Sequence, residues 1–309
     1  MTIQSPHSKD LSQTNHWLLE GMKRYRRDLG AHIFIYAVAI FIILASLSLT
    51  IFLITKGVQL FTHDGVSLFT MIFGSVWDLH DGKYGALPLI AGSFAVTVLA
   101  ALFATPLSIG TALFMVEIAN KRGRKWMQPV IEMLVGIPSV VYGFIGLTVL
   151  VPFIREHIGG IGFGLLASLI VVGVMIAPTI ISITVDGLLG VDQSLREGSY
   201  ALGATRWQMI SRVVIPAASP AILSAILLGM ARAFGEALAV QMVIGNTAVF
   251  PNSLVNPTAT LTTTITSSLG ETVEGSTANH SLWALGLILL AMSYVFILVI
   301  RWIGRKRNA

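Results

Sequence analysis

Glu197-Gly198-Ser199-Tyr200-Ala201-Leu202-Gly203-Ala204-Thr205-Arg206-Trp207-Gln208-Met209-Ile210-Ser211-Arg212-Val213-Val214-Ile215-Pro216 is a polar-apolar stretch lying between two long hydrophobic runs. Its pattern is helical up to Gly203, which tolerates positive φ and can break the helix. Pro216 can end the second short helix or begin the next one. The predicted shape is two short helices with a turn, held against a membrane on one side. Such a knob suits docking into a groove on a soluble partner, as amphipathic helices do.

The composition of the flanks supports the membrane. The chain has 309 residues, 54% hydrophobic and 11% charged, with a mean hydropathy of +0.79. A soluble domain carries about 25% charged residues, so the chain reads as an all-α, polytopic membrane protein. With no cysteine it has no disulfide and no thiolate metal site. The net charge of +5 is not a nucleic-acid signature, because the basic residues cluster beside hydrophobic runs, as on the cytoplasmic flanks of membrane helices.

Six apolar runs are expected to span: 31–55, 87–116, 127–154, 161–185, 219–245 and 281–303. The first exceeds a signal-peptide core and lacks a small-x-small cleavage site, so it reads as a retained span. Pro106 and Pro178 fall inside the second and fourth spans. The Gly159, Gly160, Gly162, Gly164 cluster does not match Gly-x-Gly-x-x-Gly, which excludes a nucleotide reading there. Basic clusters lie at Lys23, Arg24, Arg26 and Arg27, at residues 121–125, at Arg196, Arg206 and Arg212, and at Arg305, Lys306 and Arg307. The intervening loops hold only Lys56, Lys83 and Arg155. Six spans with both ends inside put every cluster on the cytoplasmic side. The organisation expected is a cytoplasmic tail over 1–30, a first span with an outside loop over 31–86, a transmembrane domain over 87–303 and a cytoplasmic tail over 304–309. The transmembrane domain carries a cytoplasmic coupling loop over 186–218.

Arg232 and Glu236 stand inside the fifth span. A spacing of i, i+4 puts them on one helix face, about 6 Å apart along the axis. Charges at membrane depth are costly unless paired or wetted. Two readings stay open. One is a structural ion pair that fixes helix packing. The other is an anion path, with the planar donors of Arg232 meeting an oxyanion and Glu236 holding the guanidinium and moderating affinity. Glu132 is expected to pair with Lys125 or Arg124, and Glu117 to sit at the interface.

Permease subunits of ABC importers carry a cytoplasmic loop with Glu-Ala-Ala, a Gly some residues on, and a hydrophobic residue and Pro near its end. Glu197, Gly203, Ile215 and Pro216 resemble that pattern, and Gly198-Ser199 depart from its two alanines while keeping small residues. The string Gly229-Met230-Ala231-Arg232-Ala233-Phe234-Gly235-Glu236-Ala237-Leu238-Ala239-Val240, continuing through Val243-Ile244-Gly245-Asn246, is similar to the PstC-type permease of the phosphate-specific ABC importer. So are Gly136-Ile137-Pro138-Ser139-Val140-Val141-Tyr142-Gly143-Phe144-Ile145-Gly146 and Tyr84-Gly85-Ala86-Leu87-Pro88-Leu89-Ile90. The likeness runs from about residue 77 to the last span.

The resemblance implies a type I ABC importer permease fold in a bacterial inner membrane, importing inorganic phosphate by alternating access. It implies a second permease (PstA type), two ATPase subunits (PstB type) and a phosphate-binding protein (PstS type). It gives Arg232 and Glu236 to the substrate path and Glu197, Gly198, Ser199, Gly203, Ile215 and Pro216 to ATPase docking. Gly136, Pro138, Ser139, Tyr142 and Gly143 go to helix packing or the path. The chain has no Gly-x4-Gly-Lys-Ser/Thr motif, so no cofactor is expected in it and ATP is bound by a partner. Alternatives are a permease for phosphonate, sulfate or molybdate, or an ion-coupled secondary transporter. Gly-x-Ser-x-Gly, His-Glu-x-x-His and a membrane aspartate pair are missing from the sequence, which argues against an intramembrane enzyme.

Overall fold

A computed structural model describes residues 7–305. Lys306 and Arg307 of the basic tail lie outside the described residues, as do the side chains of Lys23, Arg24, Arg26, Arg27, Lys121 and Arg305. Two compact units divide after Thr55. The first is a single helix, α1 (His7–Thr62), whose last turns belong to the second unit. The helix runs from the polar N-terminal stretch into the apolar run without a break. Phe34, Phe41 and Leu49 stand well exposed along it. An apolar surface of this kind is stable in hydrocarbon, where a helix satisfies its own backbone.

The second unit opens with α2 (Leu68–Phe73) and a two-residue antiparallel pair, β1 (Trp77–Asp78) with β2 (Lys83–Tyr84), in which Trp77 faces Tyr84. Helices α3 (Leu87–Leu113), α4 (Lys121–Gly136), α5 (Ser139–Ile145), α6 (Val151–His157) and α7 (Leu165–Leu189) follow. Next come α8 (Gln193–Ala201), α9 (Arg206–Met209), α10 (Ile215–Phe234), α11 (Leu238–Gln241), α12 (Leu261–Ser268) and α13 (Thr277–Arg305). Among the described residues six helical stretches are long and apolar enough to cross a membrane: Phe34–Thr62, Leu87–Ile118, Ser139–His157, Leu165–Leu189, Arg206–Phe234 and Thr277–Leu298. The core of this unit is the packing of α3, α7 and α10. It buries Ala100, Ala104, Met175, Ile176, Ile180 and Ala225, with α7 in the middle. Small residues on α3 and α10 let those helices approach α7 closely, which is how helices gain packing without a hydrophobic drive between them.

The third and fifth spans differ in their bounds from 127–154 and 219–245. The region 127–154 is not one helix. Helix α4 stops at Gly136, Ile137 is extended (φ −68°, ψ 128°), and Pro138 precedes α5. A proline drives the residue before it out of the helical region and offers no N–H to the carbonyl four residues back. That carbonyl belongs to Leu134, and the Tyr142 hydroxyl donates to it at 2.9 Å. The fifth span starts earlier than 219 and ends sooner than 245, because Arg206–Phe234 is continuously helical. Pro216 stands in the first turn of α10, as expected of a proline that begins a helix, but the helical span runs through it unbroken. A π-helical stretch, Ile210–Val214, precedes it, with the Ile215 N–H reaching back to the Ile210 carbonyl. A second π stretch, Gly146–Leu150, precedes Pro152 in the same way. The wider turn relieves the clash of the ring with the preceding turn, so the helix passes the proline unbroken.

Candidate functional site

The loop after α7 is built by caps. Asp192 accepts the Ser194 N–H at 2.8 Å and so starts α8. Its carboxyl is held below the usual carboxylate range by that backbone hydrogen bond and a second from the Ser194 side chain. Gly203 has φ +79° and turns the chain out of α8. Thr205 and Gln208 then form a reciprocal capping box that starts α9. The two short helices with a glycine turn are therefore present.

Glu197 and Gly198 are exposed on α8, and Ser199 is buried. The small residue that packing requires is thus the one at 199. Gly198 has open space above its Cα. Ile215 is half-buried and Pro216 exposed. Leu202 (91% exposed), Trp207 (70%) and Tyr200 (47%) form apolar exposure around Glu197 that the sequence reading did not single out. Large exposed apolar side chains grouped at a turn mark a contact surface.

Behind this surface lies an ion pair. Arg196 Nη2 donates to Glu117 Oε1 at 3.0 Å, and both side chains are largely buried. Arg196 also donates to the carbonyls of Val191 and Leu188, and Arg206 donates to the Glu117 carbonyl. Glu117 thus stands at a helix end, as expected, with its side chain buried against Arg196. Glu132 accepts from the Gln128 amide at 3.0 Å, one turn earlier on α4.

Arg232 sits two residues before the end of α10 and is half-buried. Its Nη1 donates to the Thr179 hydroxyl of α7 at 3.1 Å. Glu236 is not on the same helix face, because α10 ends at Phe234 and Gly235 closes it. Instead the Glu236 carboxylate accepts the Ala239 N–H at 3.1 Å, at the start of α11. Among the described residues Arg232 is paired with no carboxylate. The i, i+4 ion pair is absent because Gly235 interrupts the helix between the two charges.

Glu236 faces a small cavity with Ser93, Thr97, Thr260 and Thr262. The segment 246–280 is polar in sequence, yet its Thr258, Thr260, Thr262, Thr263 and Thr264 are buried. Thr260 caps α12 through Thr263, Thr262 donates to the Glu236 carbonyl, and Ser93 accepts the Leu261 N–H. Threonine runs are ambiguous in sequence, since the hydroxyl bonds its own backbone as readily as water.

The remaining candidates cluster at α5. Gly143 lies against α11, where an added Cβ would stand 2.8 Å from Ala239 Cα, so only glycine allows this approach. Ser139 is half-buried and Tyr142 buried, while Gly136 and Pro138 are exposed, with open space above Gly136.

Residues 104–308 match the family model of the binding-protein-dependent transport system inner membrane component. The chain belongs to this family. The permease is 53% identical to the probable ABC transporter permease protein YqgH of Bacillus subtilis, over 97% of this chain and 98% of that one. It is 33% identical to the phosphate transport system permease protein PstC of Xylella fastidiosa, covering 89% and 90% of the two chains. It is 38% identical to PstC 1 of Mycobacterium tuberculosis, covering 72% and 73%. In fold it resembles a chain of a bacterial ABC transporter involved in the import of alginate (TM-score 0.65, 17% identity, 93% and 99% covered). It also resembles a chain of the MetNI methionine ABC transporter in an inward-facing conformation (TM-score 0.55, 21% identity, 70% and 93% covered). The permease thus has the type I ABC importer fold and is a multi-pass membrane transport subunit, not an enzyme. Permeases of this family work with ATPase and substrate-binding partners.

Proposed function

We propose that the permease carries inorganic phosphate across the membrane by alternating access, as one half of a heterodimer with a PstA-type permease. Two PstB-type ATPase subunits drive it and a PstS-type binding protein supplies it. One observation carries the reading: a half-buried guanidinium, Arg232, anchored by a neutral hydroxyl and not by a carboxylate. Its positive charge is left for an anion, and its planar donors suit two oxygens of a tetrahedral oxyanion. The PstC relatives at 33% and 38% identity support phosphate as that anion.

Glu236 adds a reason to prefer phosphate to sulfate or molybdate. A carboxylate accepts a hydrogen bond from the P–OH of hydrogen phosphate and repels an oxyanion that carries no proton. Its negative charge also offsets part of the attraction that Arg232 exerts, so Glu236 moderates affinity without clamping the arginine. The basic loops support the cytoplasm as the side of both chain ends and of the 186–218 loop, by the bias of lysine and arginine. There Glu197, Gly203, Leu202 and Trp207 meet the ATPase. Pro138, Ser139 and Tyr142 edge the route where the backbone is interrupted, as broken helices do beside water-filled paths.

The test is reconstitution of both permeases, the ATPase and the binding protein in vesicles. Phosphate uptake is expected to need internal ATP and the binding protein and to be indifferent to a proton gradient. Uptake of sulfate or molybdate in preference to phosphate would reassign the substrate. Uptake that follows the proton gradient without ATP would reject the importer mechanism.

A further inference from the structure

We propose that Arg196 and Glu117 form the joint through which movement of the docking loop reaches the membrane helices. It is a positioning role, distinct from contact with the transported ion, and it rests on the docking reading of the loop. The loop is exposed at Glu197, Leu202 and Trp207, yet the side chains of Arg196 and Glu117 are only 13% and 7% exposed. Burying two charges costs desolvation, and a buried pair is weak support for stability. Its best-attested use is to fix one arrangement of the parts it joins.

Here the parts are the loop and two core helices. The Arg196 fork holds Glu117, in the π-helical stretch Phe114–Ile118 that continues α3, at 3.0 Å, the Leu188 carbonyl of α7 at 2.8 Å and the Val191 carbonyl just beyond α7 at 2.6 Å. Arg206, from the other short helix, donates to the carbonyl of the same glutamate. Both halves of the knob thus grip Glu117. Helix α7 continues the connection. Leu188 accepts from Arg196, and Thr179, nine residues earlier and about 14 Å along the axis, holds Arg232. One rigid helix therefore links the joint to the cation proposed for the anion path. A polar cleft lined by Glu117, Asp192, Gln193 and Arg196 opens beside the pair, so the joint is reached from the loop side.

The experiment uses the complete complex in vesicles and measures phosphate delivered per ATP hydrolysed. Glu117→Gln keeps the shape and removes the charge. The ATPase is expected to stay bound and to hydrolyse ATP, while phosphate per ATP falls about tenfold, within the range by which linking residues alter coupling. The chain contains no cysteine, so Glu117→Cys with Arg196→Cys supplies a second reading. Uptake per ATP should be low in this variant and recover when a short bifunctional thiol reagent bridges the two positions. An unchanged ratio in Glu117→Gln, or no recovery on bridging, overturns the joint. Loss of the ATPase from Glu117→Gln also overturns it, since the pair would then serve docking itself. Failure of the docking reading shows separately: Glu197→Lys would keep its ATPase bound and stimulated.

Discussion

Two arginines of this permease meet opposite partners. Arg196 lies in the loop between α7 and α10, with a carboxylate at 3.0 Å and two carbonyls completing its donor fork. Arg232 lies near the end of α10 and is anchored by the hydroxyl of Thr179. A guanidinium neutralised by a buried carboxylate has little charge to offer a third group. One held by a neutral oxygen keeps its attraction for an anion, at the cost of remaining partly hydrated. On the proposed function, the difference separates an arginine that joins parts of the protein from one fitted to an anion, although both look alike as isolated basic residues next to apolar runs.

Making the two sites alike should have the largest effect. Thr179→Glu places a carboxylate opposite Arg232 and copies the Arg196 site. Phosphate uptake by the assembled complex is expected to fall about a hundredfold, the upper end of what a charge-assisted hydrogen bond contributes. Unaltered uptake would mean that the free charge of Arg232 is not used. At the other end, Glu197→Lys reverses the exposed charge of the loop, and Gly203→Pro forbids its turn, since proline is locked near φ −65° and this position has φ +79°. Either variant should release the ATPase or abolish its stimulation, read by co-purification and ATP turnover, while the membrane core stays folded.

A smaller effect is expected from Gly143→Ala, whose Cβ would meet the α11 backbone at 2.8 Å. It should destabilise the permease by about 1–3 kcal/mol, the usual range for overpacking, seen as a lower Tm in detergent. The smallest effect concerns Asp64 and His280, which are 2.7 Å apart and join the loop after α1 to α13. Burial pushes the Asp64 carboxyl up, but hydrogen bonds from His280, Thr277 and His63, with the attraction of His280, outweigh it and hold the group below its ordinary 3.8. A carboxyl depressed in the folded state stabilises at pH above its ordinary value, and that stability is lost as pH falls through the folded value. Asp64→Asn should therefore flatten the loss of Tm below about pH 3.8.

The contrast also explains what the sequence could disclose. The number of spans and the Gly203 turn depend on local chemistry, on apolar runs and positive φ, and they were legible. Helix ends inside apolar sequence were not. Gly235 stops α10 although the flanking residues remain apolar, so the spacing of Arg232 and Glu236 suggested a shared face that the fold denies them. The Glu117–Arg196 pair joins residues 79 apart in sequence, and no periodicity reports such a contact. The buried threonines of α12 read as loop because their hydroxyls are as compatible with water as with their own backbone. Pro138 is in plain view in the sequence, but the Tyr142 hydroxyl that donates to the Leu134 carbonyl it leaves is visible only once α4 and α5 are placed.

The most direct measurement compares ATP-driven phosphate uptake by the wild-type complex and by Arg232→Ala, both reconstituted with the binding protein and checked for bound ATPase. The account predicts that the variant assembles fully, still hydrolyses ATP and moves almost no phosphate. Uptake near the wild-type rate would contradict it, because the cation assigned to the crossing anion would then be dispensable.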